Sequence, residues 1–194
     1  MSDFDIIRDR THSNSVKYGH PPVGAPENVL PMWVADMDFP SPPSVREALA
    51  NAIQQEVYGY TEVDEAYWDV IASWYRRRMG WATEPEWYSY IPNVLSGVSA
   101  AISALTAPGD RVLICEPVYY PFARIIRRLG RACIVSRLMN ADGGYELDFA
   151  DIEDKMKNVQ CKILLFCSPH NPVGRVWRRD ELECGLRRCV LKTM

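Results

Sequence analysis

The 194-residue chain lacks the features that mark membrane, secreted and nucleic-acid-binding proteins. No apolar run approaches the length of a membrane span, and the first thirty residues carry no apolar signal core. The 22 lysines and arginines nearly balance 25 aspartates and glutamates, and the net charge of −3 gives no case for a nucleic acid or an anionic membrane as partner. We therefore expect a soluble, cytoplasmic protein that binds neither nucleic acid nor membrane.

The spacing of cysteine and glycine matches neither a metal site nor a dinucleotide site. The six cysteines form no C-x-x-C pair, and three of them lie in or beside apolar runs, which favours reduced core thiols. No G-x-G-x-x-G follows a predicted strand, so a nicotinamide-dinucleotide domain is a weak alternative. We predict no metal site.

The residues that are present indicate an α/β fold. Apolar strands predicted over 112–115, 132–135 and 163–166 alternate with helices predicted over 120–129 and 149–156. A turn is predicted at Asp142-Gly143-Gly144. Continuous apolar strands that alternate with helices predict a largely parallel sheet with helices packed on it.

The first part of the chain is organised differently. Residues 1–40 are polar and proline-rich and predict an N-terminal arm, whereas residues 41–194 contain the periodic segments of a main domain. The main domain is predicted to open with a helix that has Ser41 as its N-cap and a buried stripe formed by Val45, Leu49 and Ile53.

Two further boundaries and one short strand are predicted before the alternating region. Asp64 is expected to cap a second helix, and Gly80 is expected to end it. Residues 87–91 predict a short strand, and a helix of small and apolar residues follows Asn93.

The loop after the last predicted strand is the most informative segment. It contains the string SPHNPVG at residues 168–174. Pro172 fixes its own φ and restricts Asn171, so the amide side chain has a defined direction. Loops at the carboxyl ends of buried strands are where open α/β sheets hold ligands. An Asn-Pro pair alone is more often a plain turn, and both interpretations stay open on the residues alone.

Two other segments have a possible chemical use. Tyr119 follows the strand at 112–115 and can present a flat face to a ring, although such tyrosines more often fill a core. The segment from Val94 and Leu95 to Gly97 opens a helix. The free N–H groups at its start can bind a phosphate, but they are equally a feature of any ordinary capped helix.

The string SPHNPxG resembles the signature of the pyridoxal-phosphate (PLP) enzymes of the aspartate-aminotransferase fold. The resemblance implies the three-layer, largely parallel sheet of their major domain, with PLP as cofactor. It implies that Asn171, whose bond to Pro172 is commonly cis in the family, hydrogen-bonds the phenolic oxygen of PLP, and that Tyr119 stacks on the ring. The phosphate would be held by the backbone at Val94 and Leu95, although relatives often have glycine at the position of Asn93.

The N-terminal region resembles one branch of this family. The string PMWVADMDFP at residues 31–40 is similar to an arm of the carbon–sulfur β-lyases that cleave cystathionine and related cysteine S-conjugates, which implies that Trp33 lines the substrate pocket. The segment 58–61 resembles the part that crosses a homodimer interface, where the hydroxyl of Tyr60, with Tyr58 as the next match, binds the partner's phosphate. The same segment equally fits a glycine turn between packing aromatics.

The implied function is a cystathionine β-lyase reaction of amino-acid metabolism, which gives a thiol such as homocysteine, pyruvate and ammonia. In the family, the lysine that carries PLP and the aspartate at the pyridine nitrogen follow the Asn loop. No lysine of this chain lies in a matching context; the five are Lys17, Lys155, Lys157, Lys162 and Lys192.

From about Glu183 onward, the chain departs from the family pattern. We therefore expect a fragment with an incomplete PLP-binding major domain, no catalytic residue of its own and no activity alone. Two alternatives stay open. One is a class I/II aminotransferase, and the other is a non-catalytic truncated fragment or binding remnant that recruits PLP or a full-length subunit.

Overall fold

The structure is a computed structural model that describes residues 3–26, 29–141 and 143–190. It contains two compact units, Met1–Glu62 and Val63–Met194, while the predicted division after residue 40 stays a prediction. The helices are α1 (Val16–Gly19), α2 (Pro43–Ile53), α3 (Glu65–Met79), α4 (Val94–Leu105), α5 (Pro121–Arg128), α6 (Phe149–Lys157) and α7 (Arg179–Val190). The strands are β1 (Arg111–Glu116), β2 (Ala132–Arg137), β3 (Met139–Ala141), β4 (Gly144–Glu146) and β5 (Ile163–Leu165).

The main sheet of the second unit is parallel and has the order β2-β1-β5. Val112 on the central strand pairs with Cys133 on one side and Ile163 on the other. The four residues 112–115 are all buried, as expected of a strand covered on both faces. The predicted parallel sheet with helices packed on it is therefore confirmed.

Side chains of β1 alternate between two cores on opposite faces of the sheet. Val112 and Ile114 belong to a cluster that includes Ile102 of α4 and Ile126 of α5. Leu113 and Cys115 belong to a second cluster together with Ile152 of α6 and Trp177. Leu182 of α7 packs against this cluster. Helices on both faces of the sheet make three layers.

The strand order reverses at β1. The connection through α5 leads from β1 to β2, and the connection through α6 leads back to β5 on the other side of β1. Because parallel strands are joined by right-handed crossovers, connections that run in opposite directions place their helices on opposite faces. The loop after β1 leads to α5 on one face of the sheet, and the loop after β5 leads to α7 on the other face. Ligands of open α/β sheets bind in the crevice at such a reversal.

The helix boundaries follow capping chemistry in the second unit. Asp64 accepts a hydrogen bond from the backbone N–H of Tyr67 at 3.0 Å, and α3 ends at Gly80 with a φ of 65°. Both predictions are confirmed. The predicted turn at residues 142–144 is described only in part, because Asp142 lies outside the described residues and Gly144 already begins β4.

The expectation for α2 is wrong in two respects. Its N-cap is Pro42 and not Ser41, because a residue that precedes proline is held extended and the helix begins only at Pro43. The predicted stripe is not buried: Val45 is 46%, Leu49 60% and Ile53 65% exposed. Amphipathic spacing shows that a helix has an apolar side, but the described part of the first unit contains no strand on which this side could pack.

The predicted strand at residues 87–91 is also wrong. A short 3-10 turn at Pro85–Trp87 replaces its beginning. The aromatic rings that follow pack on α3, where Tyr88 stacks on Trp68 with centroids 5.4 Å apart. The apolar contacts of these rings are made with a helix and not with a neighbouring strand. Among the described helices, none has both the length and the apolar character needed to cross a bilayer.

Candidate functional site

Two loops at the carboxyl edge of the sheet meet through one hydrogen bond. The first loop follows β1 at residues 117–120, and the second, here called the Asn loop, spans residues 166–175 after β5. The ring Nε2 of His170 lies 3.0 Å from the carbonyl oxygen of Pro117. This contact joins the segment that carries Tyr119 to the segment that carries Asn171.

The Asn loop is a tight reversal that leaves Asn171 exposed. The backbone N–H of His170 donates to the carbonyl of Arg175 at 2.7 Å, and the N–H of Gly174 donates back to the carbonyl of His170 at 2.7 Å. The bond between Asn171 and Pro172 is cis, as the resemblance implies. Asn171 is therefore an exposed residue on a loop closed by two backbone hydrogen bonds, where a ligand can reach its amide.

Trp177 supports the Asn loop from the core. Its indole N–H donates to the carbonyl of Cys167 at 2.9 Å, and its ring meets the ring of His170 edge-on with centroids 5.4 Å apart. The guanidinium of Arg175 lies 4.7 Å from the centroid of the indole and donates to the carbonyl of Tyr145 at 2.7 Å. Both ends of the loop are thus held by contacts with other parts of the second unit.

Tyr119 is half-buried: part of its ring packs in the core, and part of it stays accessible. Its ring meets Phe122 edge-on at 5.7 Å and Tyr120 at 5.6 Å. The same core also receives Leu95 from α4 and Cys167 from the Asn loop. The three predicted binding segments therefore lie on one side of the second unit.

The first turn of α4 has a defined set of free donors. The side-chain oxygen of Asn93 accepts from the N–H of Ser96 at 2.9 Å, and the carbonyl of Asn93 accepts from the N–H of Gly97 at 3.2 Å. The N–H groups of Val94 and Leu95 have no partner within the helix because they belong to its first turn. Two adjacent donors and the positive end of the helix dipole are what an anion binds.

Trp33 and Tyr60 both lie in the first unit. The side chain of Tyr60 is fully exposed, whereas the indole N–H of Trp33 donates to the carbonyl of Lys17 at 3.2 Å. The buried ammonium of Lys17 bonds Asp38 at 2.8 Å, and Arg10 bonds Asp36 at 2.8 Å. These ion pairs fix the backbone around Trp33 through polar contacts.

The ammonium groups of the described lysines are engaged elsewhere. Lys17 contacts Asp36 and Asp38 in the first unit. The other three form ion pairs on the second unit, namely Lys155 with Asp151, Lys157 with Glu153, and Lys162 with Asp110. Lys192 lies outside the described residues. The absence of a PLP-binding lysine from the chain stays a prediction.

His170 is the site residue that sequence reasoning missed. The motif contained it, but nothing in the sequence shows that its ring is buried or that it reaches a carbonyl 53 residues away. Burial lowers the pKa of His170, while the carbonyls of Pro117, Cys115 and Cys167 oppose that shift. Within the described ranges, no group of acidic, histidine and cysteine side chains is arranged to hold a metal ion.

Comparisons with known proteins agree with the fold described above. The family model for aminotransferase class I and II matches residues 27–189. Cystathionine beta-lyase PatB of Bacillus subtilis (strain 168) is 37% identical over 181 residues, which are 93% of this chain and 47% of that protein. Cystalysin of Treponema denticola, whose crystal structure contains a pyridoxal 5′-phosphate cofactor, is 38% identical with a TM-score of 0.85 over 96% of this chain and 48% of cystalysin.

A second solved structure gives the same result. The PLP-bound C–S lyase of Staphylococcus hominis is 30% identical with a TM-score of 0.83, over 96% of this chain and 49% of that protein. The predicted three-layer fold of the PLP-dependent transferases is thereby confirmed. The chain spans about half the length of these relatives.

Proposed function

Because this chain belongs to the aminotransferase class I and II family, we propose that it supplies the cofactor-binding part of a PLP-dependent carbon–sulfur β-lyase. The proposed substrate is cystathionine or a related cysteine S-conjugate, and the products are a thiol, pyruvate and ammonia. One observation carries the proposal: the hydrogen bond from His170 to Pro117 joins the segments of Tyr119 and Asn171 at the ligand-binding edge of a parallel sheet.

The residues at this edge fit the ring of PLP. The exposed amide of Asn171 can donate a hydrogen bond to the phenolic oxygen, and the half-buried ring of Tyr119 retains surface for stacking. When bound, PLP supplies a pyridine ring that withdraws electrons from the substrate. The proposed role of this chain is to orient that ring and to keep one of its oxygens hydrogen-bonded.

The start of α4 fits the phosphate. The N–H groups of Val94 and Leu95 are free of partners within the helix, and the helix dipole favours negative charge at this end. The exposed hydroxyl of Tyr60 is proposed to reach the phosphate of a second copy in a homodimer. Trp33 is proposed to line the substrate pocket.

The same chain is proposed to lack the group that removes the substrate proton. That step needs an amine close to the cofactor, and the described lysines all form ion pairs elsewhere. We expect a polypeptide of these 194 residues alone to show no lyase turnover. A cytoplasmic location belongs to the proposal and is supported by the free thiols of the described cysteines Cys115, Cys133, Cys161, Cys167 and Cys184.

Aminotransfer is the second candidate, because the matching family model is described by that activity. The two reactions share the cofactor contacts and differ in where the proton returns. The 37% identity to a cystathionine β-lyase favours the lyase. A non-catalytic binding remnant is the third candidate, and it shares the predicted contacts with PLP but has no turnover in any assembly.

The test compares the protein isolated from its natural source, in the assembly that it forms there, with its Asn171→Ala variant. We expect PLP affinity, followed by fluorescence titration, to fall about tenfold or more, since a hydrogen bond to a charged oxygen is lost. Pyruvate release from cystathionine should fall with it. Asn158→Ala is the matched control, because Asn158 only bonds Asp154 at the end of α6.

Three outcomes would contradict the proposal. If the natural protein does not bind PLP, the assignment of PLP as its cofactor is wrong. If the Asn171→Ala variant binds PLP with unchanged affinity, the assignment of Asn171 as a PLP contact is wrong. Formation of a new amino acid from a 2-oxo acid, without pyruvate release, would favour the aminotransferase.

A further inference from the structure

His170 is almost completely enclosed, with 1% of its surface exposed, although it lies next to the exposed Asn171. Its ring contacts the edge of Trp177, and its backbone closes the Asn loop through Arg175 and Gly174. An apolar side chain would fill this space without the cost of burying a polar ring. A buried polar ring at this position therefore indicates that its nitrogen atoms have a specific role.

The hydrogen bond to Pro117 defines the state of the ring. A carbonyl oxygen only accepts, so Nε2 carries the proton and donates it over 3.0 Å. Nδ1 then bears a lone pair, for which the described residues provide no donor. Burial lowers the pKa of His170, which favours the neutral form of the ring. The structure thus tolerates one unsatisfied buried nitrogen to keep the other bonded to Pro117.

We propose that His170 is a positioning residue: by donating to the carbonyl of Pro117, it fixes the separation between Asn171 and Tyr119. The backbone of His170 is continuous with Asn171, and Pro117 lies two residues before Tyr119, so one hydrogen bond connects both proposed ring contacts. The inference rests on the proposed function for its purpose, whereas the connection itself can be tested without a cofactor.

The first test is amide hydrogen exchange of the cofactor-free chain. His170→Leu removes the donor, and His170→Gln retains an N–H at a similar reach. We expect His170→Leu to speed exchange at Tyr119 and Asn171 about tenfold relative to the amides of β1, and His170→Gln to restore most of the protection. Exchange that is unchanged, or raised equally in β1, would overturn the proposal.

Ser136→Ala provides the matched control. Ser136 is equally buried, and its hydroxyl donates to Asp151 at 2.6 Å in a different part of the unit. This variant also removes one hydrogen bond of a buried side chain, but away from the two loops. It should therefore not change the exchange of the loops relative to β1. If His170→Leu does not fold, nitrogen NMR of the histidine-labelled wild-type chain decides instead, because a ring protonated at Nδ1 would overturn the proposal.

The second test separates positioning from a general structural role. In the natural protein, His170→Leu should weaken PLP binding about tenfold, but it should have little further effect when Asn171 is already alanine. An equal loss in both backgrounds would overturn the positioning role. A wild-type protein that binds no PLP would contradict only the proposed function, since exchange and NMR still decide whether His170 joins the loops.

Discussion

At the scale of single residues, polar side chains set what the candidate site can bind. Asn93 uses its carboxamide oxygen to occupy the N–H of Ser96, so two free amides and not three remain at the start of α4. His170 uses one ring nitrogen to hold two loops together. Each of these side chains holds a backbone group next to the proposed ligand contacts.

Substitution of Asn93 should separate capping from anion binding. Asn93→Ala removes the cap and should lower the free energy of unfolding by ~1 kcal/mol, whereas Asn93→Gly should cost only a few tenths. Both expose the N–H of Ser96, so phosphate should bind more tightly. Urea denaturation and phosphate titration measure the two effects. Asp148→Ala, which removes the equivalent cap of α6, is the control and should leave anion affinity unchanged.

The buried ring of His170 should make stability depend on pH. Its pKa is lowered by burial, so below pH 6.5 the unfolded chain takes up a proton that the folded chain resists. The free energy of unfolding should therefore fall as the pH drops from 7.5 to 5.5. His170→Gln should flatten this decrease, whatever its own stability at pH 7.5. A decrease of the same size in both proteins would refute the expectation.

At the scale of elements, the sequence predicts the three strands of the main sheet better than the helix surfaces. The strand β1 was predictable because a fully buried strand is apolar throughout. The stripe of α2 was not, because periodicity identifies an apolar face but not its partner. The hydrogen bond between His170 and Pro117 joins residues 53 apart, a pairing that follows from strand order and not from local pattern. The cofactor contacts of Tyr119 and Asn171 came from a resemblance and stay predictions.

The exposed face of α2 leads to an element-scale prediction. Leu49→Ala should change the free energy of unfolding by less than about 0.5 kcal/mol, because the side chain is 60% exposed. Ile126→Ala on α5 is the matched control and should cost about 2–5 kcal/mol, because that side chain is fully buried. Chemical denaturation measures both. A cost at Leu49 close to that at Ile126 would mean that α2 is covered in solution.

At the scale of the whole molecule, the chain contains two units with different kinds of core. Ion pairs of Arg10 and Lys17 organise the N-terminal part of the first unit, and two apolar clusters on the faces of β1 organise the second. Charge pairs are screened by salt, whereas apolar burial is not weakened by it. The stability of the two units should therefore respond differently to ionic strength.

The connection between the units should be the first site of proteolysis. Residues 54–64 follow α2 without regular structure, and Val57, Tyr58 and Tyr60 are exposed. Chymotrypsin at low concentration should cut at Tyr58 or Tyr60 before it cuts in β1, and mass spectrometry of the products checks this. A first cut within the sheet would contradict the assignment of two units.

The reversal of strand order at β1 also has a consequence for synthesis on the ribosome. β1 meets β2 about 20 residues later, but its other neighbour, β5, is made only about 50 residues after β1. At a translation rate of about 5–20 residues per second, one edge of the central strand stays open for several seconds. During that interval the nascent chain exposes an apolar strand edge, which can pair with another chain. We therefore expect aggregation to be most frequent at this stage of elongation.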